Sequence, residues 1–184
     1  YDALAKKEYH SLLIDYSFLV RHSQHINYEL HQVITQKDLL EQSHTDSLTK
    51  LPNRTSLEAK TETIKLDKYS NFAIAMLDLD FFKDVNDDYG HLCGDYILQE
   101  IGAILQKSLR KSDHVFRYGG EEFLLLLNDT DADEVFERLE RLRESIKNRV
   151  FCYKNRDISV TVSMGIAHYQ HKKHKNIQDI ISQA

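Results

Sequence analysis

Apolar residues recur along the first 44 positions at alternating steps of four and three. Leu12, Tyr16, Leu19, Ser23, Ile26, Leu30, Val33, Lys37, Leu40 and His44 mark one stripe, and seven of these ten are apolar or aromatic. No proline or glycine interrupts the run. Such spacing predicts a long helix with a heptad seam, and its length favours a parallel coiled coil over a helix packed on its own domain. Ser23 and Lys37 weaken the seam. At Thr45-Asp46 the pattern stops. Asp46 is suited to capping a turn, and Pro52, the one proline, stands with Asn53 where the helical pattern breaks.

Beyond that boundary the period changes repeatedly. Thr55 to Leu66 reads as a short helix. Asn71 to Asp80 reads as a buried strand, because Phe72 to Leu77 are apolar without a break. Tyr89 to Leu109 reads as a helix with Leu92, Tyr96, Ile97, Ile101, Ile104 and Leu105 on its apolar face. His114 to Tyr118 and Glu122 to Asn128 are short strand-like runs. Asp131 to Arg149 is amphipathic, with Val135, Leu139, Leu142 and Ile146 on one side. Phe151 to Tyr153 and Ile158 to Tyr169 read as strands, His171 to Lys175 as a polar turn, and a last helix begins near Ile177. Strands joined partly by hairpins and partly by helices predict an α+β fold with a mixed, largely antiparallel central sheet flanked by helices. Two segments follow: a helical segment, 1–45, expected as a coiled coil, and a folded domain, 46–184.

Composition narrows the function classes. A net charge of −5 argues against a scaffold held by nucleic-acid phosphates. It also means that a polyphosphate would need a cation to approach. No apolar run reaches membrane-spanning length, and no signal peptide is visible. The chain opens on Tyr1 rather than Met, so an upstream sensory or membrane segment is expected to be missing. Two cysteines, Cys93 and Cys152, fit a reducing, cytoplasmic setting without a disulfide framework and read as small buried hydrophobes.

The chemistry concentrates in two acidic places. Asp78 and Asp80 close the buried strand. Residues two apart share a face, so both carboxylates are expected on one side of its end. The second place is Arg117-Tyr118-Gly119-Gly120-Glu121-Glu122-Phe123. Two glycines between strand-like runs predict a tight hairpin in which both take φ > 0. Neighbouring strand residues point oppositely, so only one of Glu121 and Glu122 can face a given site. Oxygen donors of this kind favour Mg²⁺ or Mn²⁺. No G-x-x-x-x-G-K-[ST] stretch is present, which excludes a P-loop.

Gly119 to Phe123 resembles the signature of the GGDEF domain, in its GGEEF form. Other stretches similar to that family stand in order: Asp46 to Arg54, Asp78 to Lys83, Asn86-Asp87, Gly90-His91 and Gly94-Asp95. The resemblance covers residues 46–184. It implies a diguanylate cyclase, joining two GTP into cyclic di-GMP on the palm-like sheet shared with adenylyl cyclases and some polymerases. It places two metal ions on Asp78, the Leu79 carbonyl and Glu121, with Glu121 also helping to deprotonate a ribose hydroxyl. Phosphates fall to the turn at Phe81, Phe82 and Lys83; taken alone, both phenylalanines read as core. Asn86 and Asp95 read the base, since an acceptor-only carboxylate beside an amide suits guanine better than adenine. Taken alone, either residue reads equally well as a helix cap. His91 lines the nucleotide pocket. Arg110 and Asp113 form an R-x-x-D at the family's inhibitory product site, with Arg141 as a second arginine there; Asp113 would accept from the base edge. Asp80, Arg117 and Glu122 match motifs with open roles. Family members continue into a further helix with a basic phosphate contact, which this sequence does not reach. The implied assembly is a homodimer. The rival expectations are a catalytically silent receptor for GTP or cyclic di-GMP, and a coiled-coil dimerisation module.

Overall fold

The computed structural model describes residues 20–35 and 43–184. The chain divides between Ser43 and His44 into two units. In the first, residues 20–35 form helix α1, on which Ile26, Leu30 and Val33 stand exposed. The seam positions Leu12, Tyr16, Leu19, Lys37 and Leu40 lie outside the described residues.

In the second unit, α2 (Arg54–Glu62) starts where Asn53 accepts a hydrogen bond from the Ser56 N–H, a standard N-cap. Then come β1 (Phe72–Leu79), α3 (Phe82–Tyr89), α4 (His91–Ser108), β2 (His114–Arg117) and β3 (Glu122–Asn128). They are followed by α5 (Ala132–Lys147), β4 (Phe151–Tyr153), β5 (Arg156–Ile158), β6 (Val162–His168) and α6 (Ile177–Ile181). The main sheet runs β2-β3-β1-β6, and every pairing in it is antiparallel. β1 and β3 are central and covered on both faces. Their sequences are therefore unbroken apolar runs rather than alternating ones. Ala73, Ala75, Leu77, Phe123, Leu125 and Leu127 pack with α3, α4 and α5. Phe72, Ile74, Leu124 and Leu126 pack with α2 and α6. Each fully buried Leu or Phe contributes about 1.5–3 kcal/mol, so this sheet is a rigid platform for whatever stands at its ends.

Phe82–Tyr89 is a helix for which no element was expected, with Phe82 and Val85 buried. Four expectations are corrected. The run expected as one strand from Ile158 to Tyr169 is broken at 159–161: β5 pairs with β4 in a separate two-stranded ribbon, and only β6 joins the main sheet. Leu92 is 69% exposed and off the apolar face of α4, and Cys152 is exposed while Cys93 is buried. Finally, neither Gly119 nor Gly120 takes a positive φ. The two-residue turn with both φ positive occurs at Lys154 (48°) and Asn155 (62°), between β4 and β5.

Candidate active site

Asp78 is the penultimate residue of β1, directly opposite Glu122 on β3 and Ser163 on β6. Strict alternation would therefore bring Glu122, not Glu121, to the face of Asp78. Glu121 escapes the rule because it precedes β3 and belongs to the hairpin loop. The β2–β3 ladder ends at the Arg117–Phe123 pair, and the N–H groups of Tyr118 and Gly119 both donate to the Glu122 carbonyl, at 2.9 and 3.2 Å. This loop is wider than a two-residue turn. Gly119 gives room to the Glu122 side chain, since a Cβ there would lie 2.3 Å from a Glu122 carboxylate oxygen, whereas one on Gly120 would meet nothing.

The acids are mutually repulsive. Burial pushes the Glu121 carboxyl above its ordinary range, and the charges of Asp78 and Glu122 add to this. Burial raises Asp78 likewise, with Asp80 contributing. Two half-desolvated carboxylates with no cation beside them suit a hard divalent ion. Among the described residues no three acidic, His or Cys side chains converge as a complete cage. Any such ion would complete its donor set from main-chain oxygen, water or a bound phosphate, as is usual for Mg²⁺. Asp80 stays on the side of Asp78, since it is held partly by Ser163, the cross-strand partner of Asp78. Its two carboxylate oxygens accept from the Thr161 and Ser163 hydroxyls, each at 2.6 Å.

The chain reverses at Phe81, which is left-handed at φ 56°, ψ 30°. For a bulky residue this costs about 1–2 kcal/mol. Phe81 is not core: its ring is 80% exposed, while Phe82 is buried. Phe82 and Lys83 open α3, so their N–H groups have no acceptor within the helix. Lys83 is exposed.

Asn86 and Asp95 arrive from adjacent helices. Asn86 lies one turn into α3, and its amide sits so close over Gly94 that a Cβ there would stand 2.1 Å from Asn86 Oδ1. Gly94 costs α4 about 1 kcal/mol relative to Ala and lets the Asn86 side chain lie against α4 next to the turn that carries Asp95. Neither residue is a helix cap: Phe81 and Gly90 hold those positions. His91 is the exposed first residue of α4.

Arg117 ties the hairpin to the domain entrance. Its guanidinium donates to Asp46 at 2.8 Å and to the carbonyls of Gly119 (3.3 Å) and Gly120 (2.7 Å), and its N–H donates to the Pro52 carbonyl at 2.9 Å. Burial works against the Asp46 charge. The Thr49 N–H and hydroxyl and the Arg117 guanidinium outweigh it and hold that carboxyl below its ordinary range. The 46–51 turn packs on α4 at Gly102, where a Cβ would lie 3.2 Å from Thr49.

The family model of the diguanylate cyclase GGDEF domain matches residues 43–184. This chain belongs to the GGDEF diguanylate cyclase family. Diguanylate cyclase A of Treponema denticola is 38% identical over 142 residues, covering 74% of this chain and 38% of that protein. Diguanylate cyclase DgcP of Pseudomonas aeruginosa is 39% identical over 137 residues, covering 73% of this chain and 20% of that protein. The chain thus spans well under half the length of either. The crystal structure of the coiled coil and GGDEF domain of DgcB from Caulobacter crescentus, in complex with c-di-GMP, has a TM-score of 0.81 at 22% identity. It covers 91% of this chain and 90% of that one, and at this identity the likeness shows the fold.

Away from the acids, this GGDEF domain has a cavity of about 370 Å³ between α4 and α5, lined by Arg110, Arg138 and Arg141 among others. Arg110 pairs with Glu134, and Arg141 with Glu137 at 3.5 Å. Asp113 differs from its expected role. Its side chain is fully buried and accepts from the Asn128 N–H (3.1 Å), the Arg110 N–H (3.1 Å) and Arg138 (2.5 Å). It holds the cavity wall together and is not exposed to a base edge. Arg138 was missed in the sequence, where it is one of several arginines on an amphipathic helix. Its Nη1 is buried without a hydrogen-bond partner, which only the packing reveals.

Proposed function

We propose that this domain is an active diguanylate cyclase, condensing two GTP into cyclic di-GMP and two pyrophosphates. The observation that carries the reading is the pair of unneutralised carboxylates, Asp78 and Glu121, at the sheet end beside the Phe81 turn. Asp78, the Leu79 carbonyl and Glu121 would hold two Mg²⁺ or Mn²⁺ ions. Bound there, such ions supply charge neutralisation for the triphosphate and its leaving pyrophosphate. The main-chain N–H groups of Phe82 and Lys83, with the Lys83 ammonium, bind phosphates. Asn86 and Asp95 take the guanine edge, and His91 borders the pocket. Glu121 also serves as the acceptor for the ribose 3′-hydroxyl proton.

One domain holds one GTP, so the reaction needs two domains face to face. The 3′-oxygen of each nucleotide attacks the α-phosphorus of the other, and the bond to pyrophosphate breaks. A homodimer tethered by the N-terminal helix brings this about, with an upstream sensor setting its geometry. The arginine-lined cavity is a product site through which cyclic di-GMP restrains the enzyme. Arg110, Arg138 and Arg141 supply guanidinium donors of the kind that bond guanine O6 and N7 or phosphate.

The test is mass spectrometry of the 184-residue chain incubated with GTP and Mg²⁺. Wild type should yield cyclic di-GMP, Glu121→Gln should yield none while melting cooperatively, and Arg110→Ala should keep its initial rate when product is added. Binding of cyclic di-GMP without synthesis by wild type would favour a silent receptor instead.

A further inference from the structure

Asp80 is the residue whose arrangement the cyclase chemistry leaves unexplained. Both of its carboxylate oxygens are taken, one by the Thr161 hydroxyl and one by the Ser163 hydroxyl, each at 2.6 Å. Its N–H donates to the Thr161 carbonyl at 3.0 Å. Three bonds thus join one residue just past β1 to two residues at the start of the edge strand β6. Short O–H···O⁻ bonds of this kind are the strong, charge-assisted class.

Phe81 follows directly. It holds a left-handed conformation with its ring 80% exposed and with no side-chain cap hydrogen bond. Strained backbone persists only where its surroundings over-determine it. The Phe81 ring packs on too little to do this. The restraint comes from the residues on either side: Phe82, anchored in the core, and Asp80, anchored on β6. The carboxylate has a second effect. An unrestrained anion beside a triphosphate would repel it, and two hydroxyl donors turn this one toward β6.

We infer that Asp80, gripped by Thr161 and Ser163, is a positioning residue that fixes the Phe81-Phe82-Lys83 turn, so that the edge strand β6 sets affinity for the nucleotide triphosphate. The inference rests on the cyclase reading for the identity of the ligand. It gives Asp80 a role distinct from metal binding, exerted through the two hydroxyls that hold its oxygens. Thr161 and Ser163, which stand outside every motif that marks the site in sequence, become part of the site's support.

The experiment compares Ser163→Ala, Thr161→Val, the double variant, and Thr161→Ser combined with Ser163→Ala. Amide hydrogen exchange of the unliganded protein is read over residues 80–85, with β3 as internal control. The double variant should exchange about tenfold faster there while β3 is unchanged. The GTP KM should rise about tenfold while kcat stays within about threefold and the Mg²⁺ half-saturation point does not move. Restoring one hydroxyl with Thr161→Ser should recover much of both effects. Should the double variant fail to fold, Ser163→Ala alone carries the test, since Ser163 is exposed and its loss leaves no cavity. Unchanged exchange and unchanged KM overturn the inference. So does a raised Mg²⁺ requirement or a loss of kcat at constant KM, either of which would assign Asp80 to the metal. If wild type makes no cyclic di-GMP, the cyclase reading fails, and the exchange arm still decides whether the grip holds the turn.

Discussion

At the scale of single residues, the site holds its acids against their own preference. Asp78 and Glu121 both bind a proton more tightly in the folded chain than in the unfolded one. Their contribution to stability is therefore present below the ordinary carboxylate range and lost as pH rises through their raised values. Asp78→Asn removes one of the repelling charges. It should raise Tm at pH 7 by about 2–4 °C for each kcal/mol relieved, and leave it unchanged near pH 3 where the carboxyls are protonated. Cyclase activity should be lost in the same variant. Calorimetry at the two pH values checks this, and a lower Tm at pH 7 would mean that the Asp78 carboxylate has a stabilising partner in the folded chain.

At the scale of elements, glycines and turns matter more than helices and strands. Gly94 exists in α4 because Asn86 of α3 occupies the space of its Cβ. Gly94→Ala should expel the Asn86 amide from its place against α4. The GTP KM should rise about tenfold, and the preference for GTP over ATP should fall as it does in Asp95→Ala. Equal losses for both nucleotides would show that the two side chains do not read guanine. The hairpin loop has a similar logic. Arg117 holds the carbonyls of Gly119 and Gly120 and, through Asp46, the entrance of the domain. A shift at the entrance is thereby coupled to the loop that carries Glu121. The strand runs, the α4 and α5 helices and the order of the motifs were legible because each has a strong local period or a distinctive residue string. The α3 helix, the break at 159–161 and the conformation of the Gly-Gly loop were not. They are fixed by what packs against them.

At the scale of the molecule, the proposed reaction uses two GTP and so calls for two GGDEF domains face to face. Ile26, Leu30 and Val33 are exposed along α1, and no described helix is long and apolar enough to cross a membrane. The proposed parallel pairing of α1 with a second copy would cover that apolar stripe and raise the effective concentration of the two domains. Replacing Ile26 and Leu30 together with Asp should shift the chain toward monomer in sedimentation. It should also make the cyclase rate steeply dependent on protein concentration. A double variant that stays dimeric with unchanged activity would return the helix to the packed alternative.

The sequence by itself determined the family, an α+β fold with a largely antiparallel sheet, and the residue types of an oxygen-rich cation site. These follow from local patterns that need no knowledge of neighbours in space. Only the tertiary structure decided that Glu121 leaves the strand register, that Asp80 is turned onto Thr161 and Ser163, that Asp113 is buried in the wall of the arginine cavity, and that Arg138 joins that wall. Each of those outcomes depends on which residues more than ten positions away come within hydrogen-bond distance, and periodicity carries no record of that.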